Sequence, residues 1–239
     1  MKYLHVVKAK FLERPNRFIA LAEVDGCVQK AHVKNTGRCR ELLISGTDIF
    51  LEENDNPARK TKYSLIAVNK GGRLINMDSQ IPNAVVAEYI EKGGIFGSDA
   101  VGKIKVRREK TYKDSRFDIY AELENRKIFI EVKGVTLEEN DIARFPDAPT
   151  ERGLKHIRGL MDAVADGYEA YIVFVIQMNG IKHFEPNDKT QPEFGRALCE
   201  AQAAGVHMLA FSCDVTENSI EICDEVPVHL PCQAVQNMR

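Results

Sequence analysis

The chain has 239 residues, 44% hydrophobic and 28% charged, an ordinary composition for a soluble globular protein of one large or two small domains. Thirty-three basic against 35 acidic residues give a formal charge of -2, which excludes a histone-like polycation and confines attraction for an anionic partner to local patches. The longest wholly apolar run, 170–176, is far short of a membrane span of about 20 residues, and Met1–Lys8 has neither the apolar segment nor the cleavage site of a secretory signal, so the chain reads as cytoplasmic.

Short stretches rich in β-branched and aromatic residues come first: His5–Phe11, Arg17–Glu23, Val28–Val33, Asp48–Glu53 and Tyr63–Asn69. Turn-forming residues separate them, among them Arg14-Pro15-Asn16, Asp25-Gly26, Asn54-Asp55-Asn56-Pro57 and Gly71-Gly72. Five strands in so short a segment predict a small closed or partly closed barrel. The pattern changes near residues 76–82. Pro82–Lys92 has helical period, with Pro82 suited to the first turn and Gly93-Gly94 to the stop. Strands follow at Lys103–Arg108, Arg116–Leu123 and Lys127–Lys133. A second helix over Glu151–Asp166 has Thr150 as its N-cap and Leu154, Ile157, Met161 and Val164 on its apolar face. The run 170–176 reads as a strand covered on both faces. A third helix over Pro192–Ala204 ends at Gly205, and strands at Val206–Phe211 and Ser219–Cys223 close the pattern. The class is α/β, α+β overall, with a mixed central sheet in the second of two domains, 1–80 and 81–239. The six cysteines form no C-x-x-C pair and read as small hydrophobes of a reducing compartment.

The informative stretch is Ser115-Arg116-Phe117-Asp118-Ile119-Tyr120 followed by Phe129-Ile130-Glu131-Val132-Lys133. Strand alternation puts Glu131 and Lys133 on one face, and sets Phe117 and Ile119 against Arg116, Asp118 and Tyr120. A hairpin turning at Glu124-Asn125 pairs Asp118 with Glu131 and Arg116 with Lys133. Carboxylates that close repel unless a proton or cation sits between them. Mg²⁺ or Mn²⁺ suits such oxygen ligands, and an ammonium one repeat along suits the attack of water on a phosphodiester. The plainer alternative is an exposed strand face of alternating charge. The segment 103–116 carries seven basic residues, Arg107, Arg108 and Arg116 among them, against two acids, a local +5 that attracts phosphates. On the second helix Arg152, Lys155, His156 and Gly159 form one stripe, either a solvated face or a phosphate-holding one. Tyr112 and Tyr120 read as packing residues that could also stack on bases.

Four segments resemble one family, the sugar fermentation stimulation protein A family of bacteria and archaea: His32–Arg38, Ser115–Asp118, Ile130–Lys133, and Phe145–Gly153 with His156 shortly after. The likeness runs from about Phe11 to about Phe211, and the last of these segments is the most distinctive. The resemblance implies an N-terminal OB-like β-barrel and a C-terminal domain like the restriction-endonuclease-like nucleases with the PD-(D/E)xK pattern. Asp118, Glu131 and Lys133 match its acid, acid and lysine, and Glu88 matches an additional helical acid. Arg116-Phe117 stands where that pattern often has proline. The resemblance also implies DNA binding and a link to the control of sugar use, maltose genes included. Asn35, Thr36 and Arg38 lie in a polar turn that is either a plain tight turn or a substrate-facing loop.

Together these readings give a DNA-binding protein, for double or single strands with RNA as an alternative, outside the membrane, its oligomeric state open and a dimer among the options. Asp118, Glu131 and Glu88 are its candidate Mg²⁺ or Mn²⁺ ligands, Lys133 its candidate water-positioning group. Asn35, Thr36, Arg38, Arg107, Arg108, Ser115, Arg116, Arg152, Lys155 and His156 are its candidate nucleic-acid contacts. The alternative keeps the DNA and drops the catalysis: a regulator of sugar genes on a nuclease scaffold.

Overall fold

A computed structural model describes residues 1–56 and 58–236, the last three of these by backbone alone; Pro57, placed in a turn above, lies outside the described residues. The barrel strands are β1 (Val6–Asn16), β2 (Ile19–Val24), β3 (Cys27–Val33), β4 (Asp48–Glu53) and β5 (Tyr63–Lys70). β1 pairs with β2 and β4, β2 with β3, β4 with β5, and β3 closes on β5 in parallel, so the ring has no free edge. Ala9, Ala20, Ala22 and Ala31 point inward, and these small side chains let a narrow barrel fill around Phe11, Leu51 and Leu65. This is the OB-like barrel expected. A short β6 (Arg73–Asn76) hairpins onto β5 and was not foreseen.

α1 (Pro82–Glu91) follows, with Pro82 in its first turn as expected. The second sheet contains β7 (Lys105–Tyr112), β8 (Ser115–Leu123), β9 (Arg126–Val135), β12 (Glu169–Ile176), β14 (His207–Val215) and β15 (Ile220–Glu225), in the order β15-β14-β12-β9-β8-β7. β12 runs parallel to both neighbours, β9 and β14, and the outer pairs are antiparallel, so the sheet is mixed. α2 (Glu151–Ala165) and α3 (Pro192–Ala203) cover one face and α1 the other, which explains why β12 is buried on both sides. Thr150 caps α2 by accepting from the Gly153 N–H at 2.9 Å. β10 (Leu137–Glu139), β11 (Ile142–Phe145) and β13 (His183–Pro186) form a separate small sheet, and α4 (Pro231–Gln236) ends the description. Two cysteines depart from the reading above: α4 folds back on α3, their Cα atoms come within 6.0 Å, and Cys199 and Cys232 form a disulfide.

The barrel and the second unit share two apolar clusters and a polar seam. Gln177 Nε2 donates to the carbonyl and Oδ1 of Asn76 and to the carbonyl of Asp78, at 2.9–3.1 Å. Lys34 donates to the buried Asp78 carboxylate at 2.5 Å, and Ser79 to the Lys34 carbonyl at 2.8 Å. Gly134 of β9 permits the close seating of α1: a Cβ there would lie 2.9 Å from Pro82 Cγ and 2.6 Å from Gln177 Oε1. Gly134→Ala therefore pushes the start of α1 off the sheet. We expect a loss of about 1–3 kcal/mol, the usual cost of overpacking, read from the urea midpoint; an unchanged midpoint would contradict this seating.

Candidate metal and phosphodiester site

β8 and β9 form the expected hairpin. Leu123 pairs with Arg126 across a two-residue turn, with Glu124 at φ 53°, and the register carries back to Ile119 opposite Ile130. There the ladder stops. β8 stays paired with β7 as far as Ser115, and β9 stays paired with β12 as far as Val135, so the sheet opens between β8 and β9. Asp118 stands at the opening. Its Oδ2 accepts from the Val132 N–H at 2.9 Å, taking the place of a backbone acceptor, and its Oδ1 accepts from Asn83 of α1 at 2.8 Å. Across β7 from Asp118 is Glu109, whose φ of 60° is left-handed, a cost of about 1–2 kcal/mol for a non-glycine residue.

This opening corrects three expectations. Asp118 does not pair with Glu131 in the ladder, which ends at Ile119 opposite Ile130, and takes the Val132 N–H instead. Strict alternation sets Phe117 and Ile119 on one face, yet Phe117 packs with Tyr120 and Phe129 in the cluster under α2, while Ile119 packs in the cluster under α1. The strand changes face at Asp118. Arg116 does not meet Lys133; it is exposed, pairs with Thr111 on β7, and its guanidinium is 3.7 Å from Glu109.

Glu131 lies on the α2 side, 2% exposed. Its Oε1 accepts from Lys133 Nζ at 2.5 Å and meets His156 Nδ1 from α2. Its Oε2 is buried and has no hydrogen-bond partner among the described residues. Arg152 Nε lies 3.5 Å from the other ring nitrogen of His156, an arrangement that a neutral imidazole donating through Nδ1 satisfies. The two carboxyls are pushed in opposite directions. Burial, then the Glu131 charge, raises Asp118 above the usual carboxylate range, against the bonds from Val132 and Asn83. Burial also pushes Glu131 upward, but His156 and Lys133 outweigh it and hold that carboxyl below its ordinary value.

The other candidates fall in several places. Glu88 does not join the pair: its carboxylate is taken by the Met1 ammonium at 3.0 Å and Lys92 at 2.9 Å, and the α1 side chain that reaches Asp118 is Asn83. On a helix 83 and 88 are five positions apart, about 140° around the axis. His156 is buried against Glu131 and presents no surface to a nucleic acid, and Ser115 is buried against Gly159. Lys155 is tied to the carbonyl and carboxylate of Asp114. Tyr112 and Tyr120 pack with Phe129. Arg107, Arg108, Arg116 and Arg152 are exposed. Arg108 joins Ser79, Gln80, Asn83 and Glu109 around a cleft of roughly 510 Å³, in which Asn83, the partner of Asp118, is part of the lining. Asn35 makes the tight turn, Oδ1 accepting from the Gly37 N–H at 2.8 Å, while Thr36 and Arg38 stay exposed. The clamp on that turn was missed: Arg14 donates to the carbonyls of Arg17, Asn35, Gly37 and Arg38.

No group of three or more His, Cys, Asp and Glu side chains among the described residues converges as a metal cage. Asp118 and Glu131 offer two carboxylates and no more, a set that suits an ion completing its shell with water and phosphate oxygens. Because Asp118 holds its proton more tightly when folded, its charge works against folding as pH rises above about 4. Glu131, with its depressed value, contributes stability above the ordinary carboxylate range and loses it as pH falls through that lower value. Asp118→Asn should thus melt higher than the parent in chelator at neutral pH, by roughly 1 kcal/mol, with the difference vanishing as Asp118 is protonated in acid. A variant less stable at neutral pH would show that Asp118 is not under this burden.

Comparison with known proteins agrees with this arrangement. Residues 12–77 match the family described as "SfsA N-terminal OB domain", and residues 80–219 match "Sugar fermentation stimulation protein RE domain". A sugar fermentation stimulation protein homolog of Desulfitobacterium hafniense strain Y51 is 57% identical over 230 residues, 96% of this chain and 99% of that one. The homolog of Clostridium beijerinckii is 55% identical, covering 96% of this chain and all of its own. Among solved structures, one described as Pyrococcus furiosus SfsA in complex with Ca²⁺ aligns with a TM-score of 0.86 at 28% identity, over 96% of this chain and 98% of its own. With a barrel, a mixed sheet and near full-length relatives in agreement, this chain belongs to the sugar fermentation stimulation protein family.

Proposed function

We propose that this protein binds nucleic acid in the cytoplasm and hydrolyses phosphodiester bonds with a divalent cation held by Asp118 and Glu131. The observation that carries the reading is the buried, unpartnered Oε2 of Glu131 beside an Asp118 carboxyl driven toward its protonated form. Two acids in one notch with too little positive charge are the electrostatic signature of a cation site. The donor set is hard oxygen, which fits Mg²⁺ or Mn²⁺. The Ca²⁺ in the archaeal relative's complex supports a divalent cation in this fold. Such an ion, when bound, supplies a Lewis acid for a phosphoryl oxygen and an acidified water.

The chain's own residues do the rest. Asn83 fixes the Asp118 carboxylate through Oδ1. His156 and Lys133 fix Glu131 through Oε1, leaving Oε2 turned elsewhere. The Lys133 ammonium stands where it can orient a water or hold developing negative charge. Arg108 and the exposed cations of β7 offer phosphate contacts along the cleft.

One observation favours the second reading, a DNA-binding regulator of sugar genes that does not cut. Glu131 is 2% exposed and no third carboxylate among the described residues joins it, so the notch is narrow for a cation with its waters and a phosphate. The test is incubation of the protein with single- and double-stranded DNA and RNA, in Mg²⁺, Mn²⁺ or chelator, beside Asp118→Asn and Lys133→Ala. We expect metal-dependent cutting that falls at least about a hundredfold in both variants. Retarded migration without cutting would leave the regulator, and absence of binding at moderate salt would end both readings.

A further inference from the structure

Four of the six cysteines carry free thiols, and two of those, Cys39 and Cys213, are buried. The remaining two are the pair that the chain reversal brings together, Cys199 on α3 and Cys232 on α4. Both are half-buried, so the bond between them lies at the edge of the packed unit and not in its core.

The chain up to Leu230 holds its place without that bond. The Phe184 N–H donates to the Pro227 carbonyl and the His229 N–H to the Phe184 carbonyl, both at 2.8 Å. The His229 ring stacks on His183, with centroids 4.3 Å apart, and Leu230 is buried in the core. After Leu230 the anchoring changes. The Gln233 N–H turns back to the Leu230 carbonyl, a bond within the segment itself. Among the described residues, the hydrogen bond that ties α4 to another element ends on the disulfide: the Cys232 N–H donates to Cys199 Sγ at 3.3 Å. A helix of six residues is far too short to persist alone in water. So α4 keeps its form and its place chiefly through one covalent bond.

The helix on the other side of the bond is secured independently. Gln191, at the start of α3, accepts from the Thr150 N–H through Oε1 at 2.9 Å, and Phe194, Leu198 and Ala201 are fully buried. Breaking the disulfide therefore frees a peripheral segment and leaves a core that is complete without it. Disulfides at the surface are the labile and regulatory ones, and in the cytoplasm proposed for this chain a disulfide is usually transient.

We propose that Cys199 and Cys232 form a reversible redox clasp. Oxidised, it docks α4 on α3; reduced by a dithiol, it lets residues 231–236 leave α3 while the rest of the fold stays. Release also takes Pro231 from the wall of a cavity of about 340 Å³ that Arg144, Asn187 and Lys189 share. The exchange balances. A thiolate of the dithiol attacks one sulfur of the pair, the S–S bond breaks as a mixed disulfide forms, and the second thiol of the reductant displaces it. Two electrons and two protons pass to the protein, leaving two cysteine thiols and an oxidised reductant, and a disulfide oxidant reverses the step. Neither acid of the β8–β9 gap takes part, so the clasp stands apart from the phosphodiester reading.

The experiment equilibrates the full chain with thioredoxin at fixed ratios of reduced to oxidised form. Free thiols are trapped by alkylation after an acid quench and assigned by peptide mass. Cys199 and Cys232 should pass together from disulfide to thiols, half-way at a ratio within about tenfold of one. Hydrogen exchange on the same samples should show the amides of 232–236 losing at least about tenfold in protection on reduction, with α2 and β12 unchanged. Cys199→Ser and Cys232→Ser should each show the reduced pattern in every buffer and no response to reductant. A pair still closed at about a thousandfold excess of reduced thioredoxin is a structural crosslink and overturns the proposal. So does a pair that no disulfide oxidant closes, a loss of protection that spreads to α2 and β12, or a reduced form in which 232–236 stay as protected as before.

Discussion

Everything distinctive in this structure depends on one electrostatic constraint: two carboxylates occupy one gap in a sheet, in surroundings too dry to screen them. The other buried acids are answered by cations, Asp78 by Lys34 and Glu138 by Lys70 and Arg73. In the gap the answer is incomplete. Lys133 and His156 both serve Oε1 of Glu131, while the neighbouring oxygen has nothing and Asp118 leans on one amide and one carboxamide. A protein gains no stability from such an arrangement. On the function proposed above, it is a place for a positive charge that comes from outside.

The rest of the fold holds that gap in register. β9 and β12 run side by side through the middle of the sheet and give Glu131 a rigid base. α1 brings Asn83 to one side because Gly134 lets its first turn sit low, and α2 brings His156 to the other because Thr150 starts the helix at a fixed point. The seam around Gln177 and Asp78 then fixes the barrel against α1, so that the turn at Asn35 and the cleft at Ser79 move as one surface. The Asn35 turn also touches the second unit directly: a side chain at Gly37 would strike Asp147 in the loop before α2.

Much of this was legible in the chain. The seven apolar residues of β12, the proline opening α1, the cap of α2 and the five barrel strands announce themselves because each rests on local chemistry or a clean period. The hairpin register came from its two-residue turn. What could not be read was tertiary. The face change at Asp118 arises where β8 leaves β9, and no periodicity marks a strand that parts from its neighbour. Glu88 matched a family pattern, but the side chain that helix geometry turns toward the gap is an asparagine. His156 looked like one member of a polar stripe; its burial follows from packing on Phe117, 39 positions away in sequence. Strands as short as β6, β10, β11 and β13 carry too few residues for a period, and the disulfide follows from a chain reversal between α3 and α4.

The two units differ in charge: the barrel is net positive, and the mixed-sheet unit that holds the two acids is net negative. A negative domain is a poor place for a phosphate unless a cation neutralises the acids, so the account stands or falls on that ion. The most direct measurement is calorimetric titration of Mn²⁺ and Mg²⁺ into the protein and into Glu131→Gln at neutral pH. The account predicts one saturable site in the parent and its loss in the variant. Equal binding by parent and variant, or no heat from either ion in the parent, would contradict it.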